Sequence, residues 1–79
     1  MSPTIFREGP YRFFFFSREE PRMHVHVASS EGSAKFWLEP ELDLAENHGI
    51  PNRELSTIAR ILERRRDEVE AAWSKHFAS

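Results

Sequence analysis

Residues 17–40 have the sequence SREEPRMHVHVASSEGSAKFWLEP, and two predicted strands within them decide the fold of the chain. Polar and apolar side chains alternate over residues 24–28, which predicts a strand with two different faces. The small and polar residues at 29–33 predict a turn. Residues 34–39 predict the next strand, which Pro40 ends because proline cannot donate a backbone hydrogen bond within a sheet. We therefore expect a β-hairpin at the centre of the molecule.

A second hairpin is predicted ahead of this one. Residues 4–8 (TIFRE) and 11–17 (YRFFFFS) are rich in aromatic and β-branched side chains, which is typical of strands. The Gly9-Pro10 dipeptide between them predicts a tight turn. Because short connections join all four predicted strands, we expect an antiparallel β-meander.

The segment at residues 41–48 (ELDLAENH) is consistent with two structures. It forms either a short fifth strand or two turns of helix closed by Gly49 in the left-handed conformation. Beyond Pro51, Asn52 is the predicted N-cap of a helix that continues to residue 77. The apolar stripe of this helix consists of Leu55, Ile58, Ala59, Leu62, Val69, Trp73 and Phe77.

Together these elements predict an α+β fold: an antiparallel four- to five-stranded β-meander with one long C-terminal helix packed on one face. We expect a single domain over residues 1–79, with the meander at 1–39, a connector at 40–51 and the helix at 52–77. A helix of about 25 residues is about 38 Å long, which exceeds the length of a six-residue strand. The helix must therefore extend past the sheet, bend near residues 64–66, or contact another chain.

The composition excludes several classes of protein. The 79 residues include no cysteine, so disulfides, thiolate metal sites and thiol nucleophiles are excluded. No apolar run approaches the roughly 18 residues needed to cross a membrane, and the N-terminus lacks the pattern of a signal peptide. The formal charge of −2 argues against attraction of the whole molecule to nucleic acid. We expect a cytoplasmic protein whose excess acids lie in its second half, which allows a local basic surface.

One face of the predicted sheet has no covering. A single helix covers a single face, but the phenylalanine run at 13–16 places rings on both faces, because successive side chains of a strand point in opposite directions. The valines of residues 24–27 are natural core residues, so His24 and His26 belong on the other face. The side chains predicted on that uncovered face are those of Arg12, Phe14, Phe16, His24, His26, Lys35 and Trp37. We expect a contact surface for a second copy, another protein or stacked bases, unless residues 41–50 fold over it.

The two imidazoles allow three interpretations. In the first, both bind a metal ion with a third ligand from Glu19, Glu20 or His48. In the second, one histidine accepts a proton while the other donates one, and Arg22 or Lys35 stabilises the developing charge. That is the chemistry of metal-independent RNA cleavage by the 2′-hydroxyl group. In the third, both are structural residues, hydrogen-bonded at a sheet edge or within an interface.

The candidate site residues follow from these patterns. If the protein is an enzyme, we predict a metal-independent ribonuclease whose catalytic residues are His24, His26 and Lys35. Aromatic rings stack on bases and cations contact phosphates when a protein binds single-stranded nucleic acid. The predicted contacts to RNA or to a protein partner therefore come from Arg12, Phe14, Phe16, Arg22 and Trp37. We expect no bound metal ion and no cofactor.

Several motifs of the chain resemble those of a known family. They are PTIF at residues 3–6, RFFFFS at 12–17, HVHV at 24–27, AKFWLEP at 34–40, and the closing Glu54-Leu55, Trp73 and Phe77. Together they are similar to the small bacterial proteins of the domain of unknown function 4160 family. The resemblance covers nearly the whole chain.

The resemblance implies a role in a pair of proteins. Genes of this family commonly neighbour those of the domain of unknown function 2442 family, and the pair has been suggested to form a toxin–antitoxin module. The resemblance therefore implies a small cognate protein as partner and a toxin role, without supplying catalytic residues. We expect a toxin-like component that binds or cleaves RNA through the uncovered face. The alternatives are a non-catalytic interaction domain that dimerises or binds a cognate partner, and a histidine-based metal-binding regulator.

Overall fold

The structure, a computed structural model, describes residues 4–16 and 21–77 of the chain. Within these residues the chain forms five strands and two helices: β1 (Thr4–Glu8), β2 (Tyr11–Phe14), β3 (His24–Ala28), β4 (Ser33–Trp37), β5 (Asp43–His48), α1 (Asn52–Arg64) and α2 (Arg66–Phe77). Each strand pairs antiparallel with the next, so the spatial order is β1-β2-β3-β4-β5. The predicted α+β class and antiparallel meander are confirmed. Residues 17–20, which include the predicted ligands Glu19 and Glu20, lie outside the described residues.

Two glycines make the tight turns of the meander. Gly9 has φ of 58°, a conformation that residues with a side chain rarely adopt, and Pro10 follows it in the β1–β2 turn. In the β3–β4 turn, the N–H of Ser29 donates to the carbonyl oxygen of Gly32 at 2.9 Å. A Cβ atom at Gly32 would lie 2.1 Å from the carbonyl oxygen of His48, so the close approach of this turn to the end of β5 requires glycine.

The segment at residues 43–48 is an edge strand, which decides between the two structures predicted for it. It does not fold over the uncovered face, so that alternative is wrong. The side chain of Asn47 stabilises the turn between β5 and α1 with two hydrogen bonds. Its amide nitrogen donates to the carbonyl oxygen of Ile50 at 2.9 Å, and its amide oxygen accepts from the N–H of Ile50 at 3.0 Å.

The start of α1 differs from the prediction by one residue. The carbonyl oxygen of Pro51 accepts hydrogen bonds from the N–H groups of Glu54 and Leu55, at 2.9 and 3.0 Å. Pro51 is therefore the N-cap, and Asn52, predicted as the cap, is the first helical residue.

The single long helix predicted over residues 52–77 is wrong, because α1 and α2 are separate helices. They meet at Arg65, whose φ of −109° and ψ of 22° lie outside the helical region. The N–H of Arg65 still donates to the carbonyl oxygen of Ile61 at 2.9 Å, so the last helical hydrogen bond of α1 is kept at the break. The break lies within residues 64–66, where a bend was one of the three options that the helix length allowed.

Arginine side chains at the break hold the two helices against the sheet. The guanidinium of Arg65 donates to Glu8 of β1 at 2.9 Å, and it lies 3.5 Å from the ring centroid of Phe6. Arg66 donates to the carbonyl oxygen of Leu38, just beyond the end of β4. Successive arginines on either side of the break thus bind different parts of the sheet.

The hydrophobic core lies between one face of the sheet and the helices. Its fully buried apolar side chains are those of Phe13, Phe15, Val25, Val27, Leu38, Ile58, Leu62 and Val69. The alternate residues of β2 and β3 therefore face the core, as the strand period requires. No helix among the described residues is long and apolar enough to span a membrane.

Candidate functional site

Four side chains form a row across the sheet on the face away from α1. Residues directly opposite each other on paired antiparallel strands place their side chains on the same face. The strand register pairs Phe14 with His26, His26 with Lys35, and Lys35 with Glu46. We call these four residues the central row. It faces away from α1 because the alternate residues of the same strands form the core.

Two shorter rows flank the central row. One consists of Arg12, Ala28, Ser33 and His48, and the other of His24, Trp37 and Asp43. We call the surface formed by the three rows the open face. Every strand residue predicted on the uncovered face lies on it. Phe16 and Arg22, which lie outside the strands, reach the same surface through the ring contacts described below.

His26 lies between two phenylalanine rings. Its imidazole stacks on Phe14 with ring centroids 5.5 Å apart, and the edge of Phe16 approaches it with a centroid distance of 4.4 Å. Phe14 is only 7 % exposed, whereas Phe16 is 44 % exposed and His26 is partly exposed. Of this cluster, Phe16 and His26 are therefore the rings that a ligand can contact.

Three cationic side chains lie over rings of the open face. The guanidinium of Arg12 is 4.3 Å from the ring centroid of Phe14. Arg22 and Lys35 lie 4.2 and 4.4 Å from the ring centroid of Trp37. Contacts of this kind are attractive because the face of an aromatic ring carries partial negative charge. They fix the positions of the cations beside the rings.

His24 lies on the open face but is fully buried, at 0 % exposure. Its Nδ1 atom is 2.6 Å from the carbonyl oxygen of Arg22, and because a carbonyl only accepts, Nδ1 carries the proton. The ring packs against Trp37 and against Trp73 of α2, with centroid distances of 5.7 and 5.1 Å. The expectation that both imidazoles are open to a ligand is therefore wrong for His24, because α2 covers it.

Of the predicted third ligands of a metal site, His48 is the one that the structure describes, and it does not join the two histidines. His48 lies at the far end of a flanking row, where its Nε2 atom is 3.2 Å from a carboxylate oxygen of Glu46. Among the residues that the structure describes, no three side chains of histidine, aspartate or glutamate are placed to hold a metal ion.

Two residues that lie beside His24 or Lys35 were not predicted from the sequence as part of the site. Trp73 was predicted only as part of the apolar stripe of a helix, yet its ring contacts both Phe15 and His24. Glu46 ends the central row with a negative charge beside Lys35. Alternation along β5 could not have placed Glu46, because a register shift puts it on the same face as Asp43, and the contact of Trp73 depends on how α2 packs against the sheet.

Comparison with known proteins gives one match. The model of a family described as a domain of unknown function (DUF4160) matches residues 11–74 of the 79-residue chain. No curated protein and no solved structure matches the chain. The match contains all the strands of the open face from β2 to β5 and most of both helices, and it confirms the resemblance inferred from the motifs. The chain therefore belongs to the DUF4160 family.

Proposed function

We propose that this protein binds single-stranded RNA through the open face and acts as the toxin-like component of a bacterial two-protein module. The observation that carries the proposal is the interleaving of rings and cations on one sheet face. Phe16 and His26 offer rings for stacking, and exposed Arg22 offers positive charge beside Trp37. Lys35 lies directly opposite His26 on the neighbouring strand but is only 9 % exposed, so its charge acts from beneath the surface. Bases stack on such rings, and phosphates are attracted to such cations.

The charge distribution supports binding over β2 to β4 in particular. The cations of the open face lie on or next to these strands, whereas Asp43 and Glu46 place carboxylates on β5. Phosphates are attracted to the first region and repelled by the second. If Arg12 and Arg22 each neutralise one phosphate, the logarithm of the binding constant falls with that of salt concentration with a slope of about −1.4.

Binding, and not cleavage by a histidine pair, is the activity that the geometry supports best. His24 is buried beneath Trp73, so it reaches no ligand unless α2 moves. His26 is partly exposed and lies directly opposite Lys35 across the β3–β4 pair. Any cleavage in this proposal uses His26 to accept the proton of the attacking 2′-hydroxyl group and water to protonate the leaving 5′-oxygen, with Lys35 as the nearby positive charge.

The binding test compares two exposed arginines. Arg22→Gln removes a cation from the open face, whereas Arg60→Gln removes one from the exposed side of α1. We expect a fluorescent oligouridine to bind the wild type, and Arg22→Gln and Phe16→Ala each to weaken binding by about fivefold or more at about 50 mM salt. Arg60→Gln should leave the affinity within about twofold of the wild type, because Arg60 is exposed on α1, which packs on the opposite face of the sheet.

Two results count against RNA binding: no detectable change of anisotropy with the wild type, or equal losses in Arg22→Gln and Arg60→Gln. The toxin role has a separate test. Expression of the wild type in a bacterial host should arrest growth, and Arg22→Gln should relieve the arrest at equal protein level. Normal growth with the wild type contradicts the toxin role but does not contradict RNA binding.

A second candidate function uses the same surface without RNA. An exposed aromatic ring such as Phe16, with buried Phe14 behind it, is typical of the centre of a protein interface. In this alternative the protein is a non-catalytic interaction domain that dimerises or binds a small cognate protein. Light scattering across concentration tests the dimer, and Phe16→Ala should shift it towards monomer. A concentration-independent monomer contradicts self-association.

A further inference from the structure

We propose that the outer edge of β5 binds an extended segment of a partner protein, in which apolar residues alternate with lysine or arginine, as an added strand of the sheet. This inference does not depend on RNA binding, because it uses the edge of the sheet and the groove beside α1. The occupant is a protein segment of defined chemistry, and the pattern of its side chains follows from those of β5.

The edge of β5 is accessible along its length. Within the described residues, β5 pairs only with β4, and five of its six residues are exposed. An edge strand presents backbone N–H and C=O groups that can pair with another strand. Proteins often protect such edges with lysine or proline, and Asp43–His48 contains neither.

An apolar groove runs beside this edge on the side of α1. Leu44 is 41 % exposed and is directly opposite Phe36 in the strand register. Together with Leu42 of the preceding segment and Leu55 and Ala59 of α1, these side chains form the apolar part of a groove of about 270 Å³, which Asp43, Ser56 and Glu63 also line. A leucine or valine side chain from an added strand would bury apolar surface in it.

The other side of β5 is acidic. Asp43 is directly opposite Trp37, and Glu46 is directly opposite Lys35, so both carboxylates lie on the open face. Successive side chains of an added strand point to opposite faces. A register shift in β5 puts Asp43 and Glu46 on one face although they are three residues apart, and Leu44 lies on the other face. One set of side chains of the added strand therefore lies over the groove and another lies beside the carboxylates, which favours apolar residues in the first set and basic residues in the second.

Charge also argues against a second copy as the occupant. If two β5 strands paired, each would bring its own Asp43 and Glu46 to the shared face, and four carboxylates would lie close together. Repulsion of this kind selects against the wrong partner. RNA is excluded on the same ground, because its phosphates would lie beside these carboxylates.

The test uses a short synthetic peptide in which lysine alternates with valine and leucine. Three control peptides accompany it: one with glutamate in place of lysine, one with N-methyl groups on alternate backbone amides, and one scrambled to break the alternation. We expect the lysine peptide to bind and to slow hydrogen exchange at amides of Asp43–His48, with no such protection in β1. The glutamate, N-methylated and scrambled peptides should each bind about tenfold more weakly or not at all.

Variants of the protein locate the site. Asp43→Lys reverses a charge at the edge, and Asp67→Lys makes the same change at an exposed position in the first turn of α2. We expect Asp43→Lys to weaken peptide binding at least fivefold and Asp67→Lys to change it less than twofold. Leu44→Ser should also weaken binding, because it removes an apolar wall of the groove.

Four outcomes overturn the proposal. They are absence of binding by the lysine peptide, equal binding of its N-methylated form, protection confined to strands other than β5, and a dimer formed through β5 without peptide. Equal effects of Asp43→Lys and Asp67→Lys overturn it as well, because they would show attraction to net charge alone. Folding of each variant is checked by its circular dichroism spectrum and its unfolding midpoint.

Discussion

At the scale of single residues, His24 and His26 have different environments although they share one face of β3. His24 is enclosed by Trp37 and Trp73, and its Nδ1–H is bound by a backbone carbonyl. His26 is partly exposed between Phe14 and Phe16. The structural interpretation of the imidazoles therefore fits His24, and the ligand-binding interpretation is confined to His26.

This difference predicts opposite phenotypes for two matched substitutions. We expect His24→Ala to lower the free energy of unfolding by about 3 kcal/mol, because it leaves a cavity in a closely packed site. His26→Ala should lower it by less than about 1 kcal/mol, and it should weaken RNA binding. Urea unfolding followed by tryptophan fluorescence measures the first effect, and anisotropy measures the second. A His24→Ala variant as stable as His26→Ala would contradict the assignment.

At the scale of elements, the break between α1 and α2 at Arg65 is stabilised by ion pairs with β1. Hydrogen bonds from Arg65, with a further contribution from Arg64, lower the pKa of the Glu8 carboxyl below its usual value. Arg65 also donates to both carboxylate oxygens of Glu68 at 2.9 Å, which lowers the pKa of Glu68. One guanidinium thus connects the start of α2 to the first strand.

The contribution of the Glu8 ion pairs to the free energy of unfolding should decrease as the pH is lowered. Because the pKa of Glu8 is lower in the folded than in the unfolded protein, its contribution is present above the usual value of 4.5 and is lost as the pH falls through the folded value. We expect Glu8→Gln to be less stable than the wild type at pH 7, with the difference shrinking as the solution is acidified. Denaturant unfolding between neutral and acid pH measures it, with exposed Glu41→Gln as the control. A difference that stays constant with pH would show that the charge of Glu8 is not involved.

The strands were more predictable from sequence than the helices. The period of two in residues 24–28 places His24 and Val25 on opposite faces whatever the register, so the open face could be assigned from sequence. The helix break could not, because Leu62 and Val69 keep helical spacing across Arg65. What separates α1 from α2 is a set of contacts to distant residues, and local periodicity carries no information about them.

The candidate site, like the fold, was only partly predictable from the sequence. Its members follow from the strand period, but their exposure depends on the path of α2. Trp73 of α2 covers His24, and α2 begins after the break in helical geometry at Arg65. Burial of one imidazole is therefore a consequence of tertiary structure that the alternation of β3 does not encode.

At the scale of the whole molecule, the net charge of −2 is small, but positive and negative side chains occupy different parts of the sheet. Cations lie beside the rings from β2 to β4, and carboxylates lie on β5. The two proposed ligands have opposite charge and occupy these two regions. Since the regions adjoin, a change of charge in one acts on the ligand of the other through the electrostatic potential.

This arrangement predicts that one substitution has opposite effects on the two ligands. Asp43 is directly opposite Trp37, whose ring is 4.2 Å from the Arg22 guanidinium, so it lies within about one Debye length of that cation at 0.1 M salt. Asp43→Lys should therefore tighten oligouridine binding by about two- to threefold at low salt, while it weakens binding of the lysine peptide. Asp67→Lys makes the same change of net charge, but it should change the affinities for oligouridine and for the lysine peptide less than Asp43→Lys does. If Asp43→Lys shifts both affinities in the same direction, the substitution acts through the fold and the proposed separation of the two surfaces is wrong.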